Sequence, residues 1–339
     1  MKVIHPSDLE VPTLGSCAFE SPMQRHWAHA DEMEIFVSDK DKILLHDSLK
    51  SVATSIAHNE TPAAFELAGP RRLFIIGGDG TLRGASQISA ESQRRNHPLS
   101  VVSIPKTIDN DIMFTDKSFG YDTACAAAVE AIKAAHAEAR TVRNGVGLVK
   151  LMGRHSGFIA CSAALATSEV DFVLIPEVSF ALEGENGFLE ALHQRIRRTG
   201  HALIVVAEGA GQELFDDSDR DTDLSGNVLL KDIGLLLKGH IEKYSKEHSL
   251  DLKFKYIDPS YMIRGVPANP QDGIYCVRLA QNAVHAAMAG KTATAIGCWH
   301  GHYVHVPISL AVSARKQVDP KGDLWHSVIE ATGQSPKFN

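Results

Sequence analysis

Residues 73–81, LFIIGGDGT, decide the fold of this chain, because they describe a buried strand that turns through glycines into a helix. The apolar run 73–76 predicts the strand, and a helix is predicted over about 82–95. A strand–turn–helix unit directs the unpaired N–H groups at the helix start, and the positive end of its dipole, toward the turn. The stretch therefore predicts an α/β sheet with an anion-binding turn at its edge.

The turn offers groups that suit a nucleotide phosphate and its metal. Mg²⁺ in proteins takes one or two carboxylates together with phosphate oxygens, so Asp79 is the candidate metal ligand, directly or through water. Gly80 leaves room for a nucleotide, and the candidate nucleotide-binding residues are Gly78, Asp79, Gly80 and Thr81. The simpler alternative is an aspartate that bonds only within its own turn, among glycines that only permit tight backbone angles.

A second loop, PKTIDND at 105–111, follows the apolar run 99–104 and suits phosphoryl transfer. In that reaction a carboxylate accepts the proton of the attacking hydroxyl, while a lysine and a metal balance the charge on the moving phosphoryl group. We assign Asp109 as the candidate base and Lys106 as the candidate charge stabiliser. The alternative is a surface Asx-type turn.

Further polar segments follow predicted strands. Arg154 lies in the glycine turn MGRHSG at 152–157, and its planar guanidinium can hold a sugar phosphate through two charge-assisted bonds. Glu208 can bond sugar hydroxyls, and YMIR at 261–264 offers a hydroxyl and another guanidinium, with Lys255 nearby. Each segment is also compatible with an ordinary turn or an exposed side chain.

Composition and charge exclude several classes of protein. The 339 residues carry 34 Lys and Arg against 41 Asp and Glu, a net charge of −7 without a dense basic run, so we expect no nucleic-acid partner. No apolar stretch reaches the roughly 18 residues of a membrane span, so we expect no membrane contact. The histidines in WHGHYVH at 299–305 lack cysteine or acidic companions, and we interpret them as surface and core residues rather than metal ligands.

Two features predict a cytoplasmic location. The start of the chain, MKVIHP, lacks the apolar core of a secretory signal and the Arg/Ser richness of a transit peptide. The five cysteines are widely spaced, without a C-x-x-C pair, as is typical of reduced thiols packed as small hydrophobes.

From Leu73 onward, predicted strands alternate with predicted helices. Such alternation is typical of a mostly parallel, doubly wound sheet, in which sites lie at the carboxyl ends of the strands. Asp122 and Asp272 are predicted to cap two helices, and Gly290 to end the second. Strands are predicted at 73–76, 99–104, 145–151, 170–175, 202–207 and 293–297, with an extended piece before 261 and a hairpin at 299–308. Helices are predicted at 40–58, 82–95, 123–140, from 158, and at 190–198, 228–247 and 272–290, with a solvated loop at 216–226.

The chain resembles ATP-dependent 6-phosphofructokinases of the plant, protist and trypanosomatid type over residues 73–335. The strings that carry the resemblance, in family order, are IGGDGTLRGA, PKTIDNDI, SFGYDTA, KLMGRHSG, IPE, VAEGAG, YIDPSYMIRG and AQNAVHAAMAG. Earlier strings, LGSCAFESPMQ, FVSDKDKILL and FELAGPRR, are similar to the same family. The resemblance implies the phosphofructokinase fold, an α/β fold with two Rossmann-like domains built on doubly wound, mostly parallel sheets.

The resemblance also implies a reaction, in which ATP and fructose 6-phosphate give ADP and fructose 1,6-bisphosphate in glycolysis, with Mg²⁺ as cofactor. Asp79 matches the family's magnesium aspartate, residues 78–81 match those that line the ATP phosphates, and Asp109 matches the acceptor of the proton from the 1-hydroxyl. The implied substrate-binding residues are Thr107, Ile108, Asp109, Met152, Gly153, Arg154, Glu208, Lys255, Tyr261, Met262, Ile263 and Arg264. A homotetramer is implied as well.

Two positions bear on the phosphoryl donor. Pyrophosphate-dependent members of the superfamily carry a second Asp in place of Gly80, which fills the nucleotide's space, and a Lys in the following loop. Here Gly80 accompanies Lys106, a mixed pattern like that of the plant-type ATP enzymes. We therefore expect ATP.

The chain departs from the family between Arg72 and Leu73. There the family has its first strand, a glycine-rich ATP loop, and later Arg-Tyr-Gly-Tyr-like and Ser-Arg-Gly-Pro-like segments. We therefore expect most of one βαβ half of the nucleotide domain to be absent, which would leave the strand at 73–76 with an unpaired edge. The predicted domains are an N-terminal extension at 1–72, the remaining nucleotide domain at 73–140 with 266–300, a sugar-phosphate domain at 141–265 and a C-terminal segment at 301–339.

Other functions remain open at this point. A catalytically weak regulatory subunit, or an inactive variant that binds sugar phosphate, would fit the missing ATP loop. A pyrophosphate-dependent phosphofructokinase is a further alternative. NAD and lipid kinases share GGDGT, but the loop at 107–109 and the triplet at 152–154 argue against them.

Overall fold

The computed structural model describes residues 33–37, 71–96, 99–215 and 229–339. The helix predicted at 40–58 and the loop predicted at 216–226 lie outside the described residues. The described strands are β1 (Met33–Val37), β2 (Arg71–Gly77), β3 (Leu99–Pro105), β4 (Gly145–Leu151), β5 (Phe172–Leu174), β6 (His201–Ala207), β7 (Lys253–Ile257), β8 (Thr294–Trp299) and β9 (His302–Pro307). The described helices are α1 (Asp79–Arg94), α2 (Tyr121–Arg140), α3 (Phe158–Thr167), α4 (Phe188–Thr199), α5 (Ile233–Glu247), α6 (Ser260–Arg264), α7 (Pro270–Met288), α8 (Ile308–Ala311) and α9 (Asp323–Thr332).

The chain divides into two compact units. Unit 1 takes in the residues up to Thr107 together with 111–120 and 270–315. Unit 2 takes in 108–110, 121–269 and 316–339. The loop PKTIDND therefore contributes residues to both units, with Ile108–Asn110 in unit 2 and its flanks in unit 1.

The sheet of unit 1 has the strand order β1-β2-β3-β8-β9 and is parallel except for β9. Helix α1 buries Leu82 and Ile88 against one face of this sheet, and α7 buries Leu279 and Ala283 against the other. The register pairs Gly77 at the end of β2 with Pro105 at the end of β3. As a result, the two loops singled out in the sequence begin side by side at the carboxyl edge of one sheet.

Strand β1 corrects one expectation. We expected β2 to present an unpaired edge, but β1 pairs with it in parallel, with Glu34 opposite Leu73 and Val37 opposite Ile76. The expectation was wrong because a short strand distant in sequence satisfies the backbone groups on that side of β2.

The sheet of unit 2 is fully parallel, with the order β5-β6-β4-β7. The chain runs outward from β4 to β5, returns to β6 beside β4, and crosses to β7 on the other side. Helices α2, α3 and α9 cover one face, and α4 and α5 cover the other. Three buried strands and the partly exposed edge strand β7, with helices on both faces, are the arrangement expected of an α/β unit, and they confirm the predicted fold class.

Several element ends differ from the predictions. Helices α2 and α7 begin at Tyr121 and Pro270, so Asp122 and Asp272 lie within the first turns rather than at the caps. Asp272 instead accepts a bond from the backbone N–H of Gly120 at 2.9 Å. Gly290 follows the end of α7 with φ +69°, as expected of a helix terminator. Among the described residues, no helix is long and apolar enough to cross a bilayer.

Candidate active site

Asp79 is the first residue of α1, directly after the turn that ends β2. A Cβ on Gly77 would lie 2.4 Å from Oγ1 of Thr81, so only glycine allows the helix to start this close to the strand. The Asp79 carboxylate is paired with Arg83 at 3.1 Å and with Arg315 at 3.5 Å. The helix start and this carboxylate therefore occupy the carboxyl edge of the unit 1 sheet.

Asp111 brings a second carboxylate to the same edge. It is 9% exposed, and its Oδ1 is buried with no hydrogen-bond partner among the described residues. Burial raises the pKa of Asp111, the nearby Asp79 carboxylate raises it further, and Arg315 opposes both effects. A buried carboxylate with a second carboxylate nearby forms a site that favours a cation.

The donor set fits Mg²⁺ better than a metal that needs many protein ligands. Among the described residues, no cluster of three or more His, Cys, Asp or Glu side chains could hold a metal. Mg²⁺ needs only one or two carboxylates, because phosphate oxygens and water supply the rest. The sequence indicates only Asp79 as a candidate ligand, and the structure places Asp111 near it as a second candidate.

The space beside the helix start is open. A Cβ placed on Gly80 would meet no heavy atom within 4 Å. The backbone of the second loop lies against the first, since the N–H of Lys106 donates to the carbonyl of Gly77 at 2.7 Å. The carbonyl of Thr107 accepts a bond from Ser118 Oγ at 2.5 Å, which anchors the loop on its other side.

In unit 2, residues 108–110 are held by three contacts. Ile108 packs against the core formed by α2 and α3. The carbonyl of Asp109 accepts a bond from Ser156 Oγ at 2.7 Å. Asn110 is 4% exposed, has a left-handed φ of +56°, and accepts a bond from Lys316 Nζ at 3.2 Å.

The structure brings the MGR triplet at 152–154 together with Glu208. The N–H of Glu208 donates to the carbonyl of Leu151 at 2.8 Å, and the N–H of Gly209 donates to the carbonyl of Gly153 at 3.1 Å. Gly153 has φ +135°, a conformation that favours glycine. Both segments follow neighbouring strands, β4 and β6, so the strand-end argument placed them correctly.

The segment 261–264 forms most of the short helix α6. Tyr261 and Met262 are 80% and 70% exposed, and the guanidinium of Arg264 lies 4.9 Å from the ring of Tyr261. Ile263 points the other way and is 2% exposed in the unit 2 core. Of the predicted substrate-binding side chains, Ile263 is therefore a packing residue, and only its backbone is available to a ligand.

The structure does not bring Lys255 to the other predicted residues. It lies within β7 opposite Gly147, four positions before the end of β4, or about 13 Å along the strand. Its ammonium is 3.7 Å from a carboxylate oxygen of Glu138, at the far end of α2. Arg154 and Glu208 lie beyond the opposite, carboxyl end of the sheet.

The sequence analysis missed a cluster of one lysine and two aspartates at that carboxyl end. Lys150, the next-to-last residue of β4, is 12% exposed and pairs with Asp232 at 2.8 Å and with Asp258 at 2.9 Å. Asp232 caps α5, and Asp258 accepts the N–H of Ser260 at the start of α6. No local signal marks this cluster, because Lys150 lies more than 80 residues from either aspartate.

Comparison with known proteins identifies the family of the chain. Residues 47–287 match the family model described as phosphofructokinase, and the chain belongs to that family. It is 51% identical to an ATP-dependent 6-phosphofructokinase of Borreliella burgdorferi, over 77% of this chain and 60% of that protein. It is also 51% identical to one of Amycolatopsis methanolica, over 83% of this chain and 62% of that protein. A third relative, ATP-dependent 6-phosphofructokinase 7 of Arabidopsis thaliana, is 49% identical over 80% of this chain and 56% of that protein.

The chain thus spans about 60% of the length of the curated relatives it matches. Among solved structures, a pyrophosphate-dependent phosphofructokinase from Marinobacter aquaeolei is similar with a TM-score of 0.60 and 22% identity, over 84% of this chain and 71% of that one. The T-state phosphofructokinase of Pichia pastoris is similar with a TM-score of 0.55 and 24% identity, over 77% of this chain and 28% of that one. Both likenesses confirm the phosphofructokinase fold.

Proposed function

We propose that this chain transfers the γ-phosphoryl group of ATP to the 1-hydroxyl of fructose 6-phosphate, giving ADP and fructose 1,6-bisphosphate. The observation that carries the proposal is the pair of carboxylates, Asp79 and buried Asp111, beside the start of α1. A helix start supplies N–H groups for phosphate, and the carboxylates supply ligands for its cation. The names of the relatives described above support the choice of donor and acceptor.

On the donor side, residues 78–81 bind the phosphates. Asp79 and Asp111 would hold Mg²⁺, which would neutralise negative charge on the phosphates as the phosphoryl group moves. Arg315 and Arg83 balance the Asp79 carboxylate when no cation is bound. Lys106, directly after β3, supports the charge of the transferring group.

On the acceptor side, Asp109 accepts the proton of the 1-hydroxyl. The hydroxyl oxygen forms a bond to the γ-phosphorus, the bond from that phosphorus to the ADP oxygen breaks, and ADP leaves. Arg154, Tyr261 and Arg264 bind the sugar phosphate, and Glu208 binds its hydroxyls. Planar guanidinium groups suit this task because they can make two parallel bonds to a phosphate. Lys255 is left out of this group because of its place within β7.

Gly80 supports ATP over pyrophosphate as the donor. A side chain here would extend into open space, which a nucleotide needs and which a second aspartate would fill. The relatives described above are named as ATP-dependent enzymes, whereas the similarity to the pyrophosphate-dependent structure, at 22% identity, supports only the fold. A homotetramer and a cytoplasmic location complete the proposal, and sedimentation of the purified chain tests the first of these.

A coupled assay of the purified full chain tests the reaction. Fructose 1,6-bisphosphate formation is followed with fructose 6-phosphate, Mg²⁺ and either ATP or pyrophosphate. The expected result is turnover with ATP and none with pyrophosphate. The matched variant Gly80→Asp should lose ATP turnover, because its side chain fills the open space beside α1.

The second candidate is a regulatory subunit that binds sugar phosphate without transferring phosphate. The observation that favours it is the absence, between Arg72 and Leu73, of the glycine-rich ATP loop that the family carries. Saturable binding of fructose 6-phosphate by calorimetry, with no turnover from either donor, would select this candidate over the kinase.

A further inference from the structure

The segment 315–318, RKQV, contacts several loops of the candidate site. It follows α8 and lies within the predicted C-terminal segment, to which the sequence assigns no site residue. Its contacts, each within one unit, are Arg315 with Asp79 at 3.5 Å, Lys316 with Asn110 at 3.2 Å, Gln317 with the His155 carbonyl at 3.0 Å and the Val318 N–H with Glu177 at 2.8 Å. Lys316, Gln317 and Val318 thus reach three separate loops of unit 2.

Lys316 makes the contact nearest the proposed chemistry. Its Nζ donates to Oδ1 of Asn110, the residue between Asp109 and Asp111. The ammonium also lies 5.1 Å from the ring centre of Phe158, within range of a cation–π contact. On the other side, Ser156 Oγ donates to the Asp109 carbonyl at 2.7 Å.

The backbone conformation and the burial of Asn110 both require support from neighbouring groups. Its φ of +56° is a left-handed conformation that few non-glycine residues adopt, asparagine being one of the more frequent among them. Its side chain is almost fully buried, so its amide needs bonding partners. Because a lysine ammonium only donates, it fixes the side-chain oxygen of Asn110 toward Lys316 and the amide nitrogen away from it.

We propose that Lys316 is a positioning residue for Asp109. By holding Asn110 in its left-handed conformation, Lys316 and the Ser156 bond together set the backbone that carries the Asp109 carboxylate. What Asp109 then does for a substrate rests on the proposed function, but the placement of the loop does not.

Lys316→Met in the full chain removes the bond and keeps the length of the side chain. Lys316→Arg should restore it, because a guanidinium can also donate to Asn110. Lys321→Met is the matched control, since Lys321 is an exposed lysine of the following turn. Asn110→Gly is a second test of the same contact, because glycine lacks the side-chain oxygen that accepts the lysine bond.

Hydrogen exchange of the peptide spanning 106–112 and steady-state kinetics are the two readouts. In Lys316→Met and Asn110→Gly, that peptide should exchange about tenfold faster than in the wild type, with no change in Lys321→Met. In Lys316→Met, kcat should fall at least tenfold while KM for fructose 6-phosphate changes less than threefold, and Lys316→Arg should recover most of kcat. A general loss of stability would not produce that split.

Unchanged exchange at 106–112 in Lys316→Met overturns the proposal, as does an equal effect in Lys321→Met. If the wild type shows no turnover, the proposed function fails, and the exchange measurement alone still decides whether Lys316 holds the loop. If turnover is present and kcat is unaffected in Lys316→Met, the positioning role is refuted while the proposed function stands.

Discussion

Replacing Lys150 with Met should destabilise the protein far more than an ordinary lysine substitution. The ammonium is 12% exposed and bridges Asp232 and Asp258, which are 32% and 36% exposed. Burial opposes the charge on Lys150, but the bonds to the two aspartates outweigh it and raise the pKa of the ammonium above its usual value. The pair of carboxylates therefore depends on this one cation.

The expected loss follows from burial. Removing one partner from a fully buried ion pair costs about 3–5 kcal/mol, because the other charge is left unpaired. The aspartates here are about one-third exposed, which lowers the expected loss to about 2–3 kcal/mol. Lys253 and Asp251 have a similar separation, 2.9 Å, but are 56% and 83% exposed, so Lys253→Met should cost less than about 0.5 kcal/mol.

Urea unfolding of the full chain, followed by circular dichroism, compares the two variants with the wild type. The loss in Lys150→Met should be the same at pH 7 and pH 9, because a lysine with a raised pKa keeps its charge at both values and loses it only at higher pH. Equal losses for Lys150→Met and Lys253→Met, or a loss below about 1 kcal/mol for Lys150→Met, would refute the argument from burial.

Three further predictions concern single side chains. Burial lowers the pKa of His305 to about 4, and both its ring nitrogens lack partners among the described residues, so the folded state needs the neutral ring. The contribution of the neutral His305 ring to the free energy of unfolding should be fully present above about pH 6.5, and about 1–2 kcal/mol of it should be lost as the pH drops toward 4. In pH-dependent unfolding, His305→Leu should make the free energy of unfolding less dependent on pH over this range. Gly209→Ala would place a Cβ 1.9 Å from the Arg154 carbonyl, so calorimetry should show at least tenfold weaker binding of fructose 6-phosphate with unchanged ATP binding. Asp111→Asn should weaken Mg²⁺-dependent ATP binding about tenfold, or 1.4 kcal/mol, and leave fructose 6-phosphate binding unchanged, whereas equal affinities would exclude Asp111 from the cation site.

The fold and the loops of the site could be predicted where the signal is local. Residues 73–81 contain the strand, the turn and the helix start in one run, and β2 and α1 form there. The same holds for the turns after β4 and β6, where Gly153 and Gly209 meet because their strands are neighbours. Parallel strands place their following loops at one edge, so the strand pattern alone brings these residues together.

The missed features depend on contacts between distant residues. Lys316 lies 206 positions from Asn110, and nothing in the sequence around either residue indicates the contact. The pairing of β1 with β2 is likewise not indicated by any signal in the sequence around either strand. The separation of Lys255 from the other predicted residues has a related cause, because a strand residue's position along the sheet depends on its register, which no signal next to Lys255 in the sequence indicates.

The starts of α2 and α7 also differ from the predictions based on local sequence. Asp122 and Asp272 are good capping residues, but α2 and α7 each extend beyond them by one or two residues. In α7, Asp272 is fully buried and bonds the N–H of Gly120 instead. Tertiary contact thus overrides the local capping preference.

The most direct test of the central claim is the turnover of Asp109→Asn, measured with ATP, Mg²⁺ and fructose 6-phosphate beside the wild type. Asparagine keeps the shape of the side chain but cannot accept the hydroxyl proton. The account predicts that kcat falls by about 10²–10⁴-fold while the dissociation constant for fructose 6-phosphate stays within threefold. Turnover at the wild-type rate in this variant would contradict the assignment of Asp109 as the base.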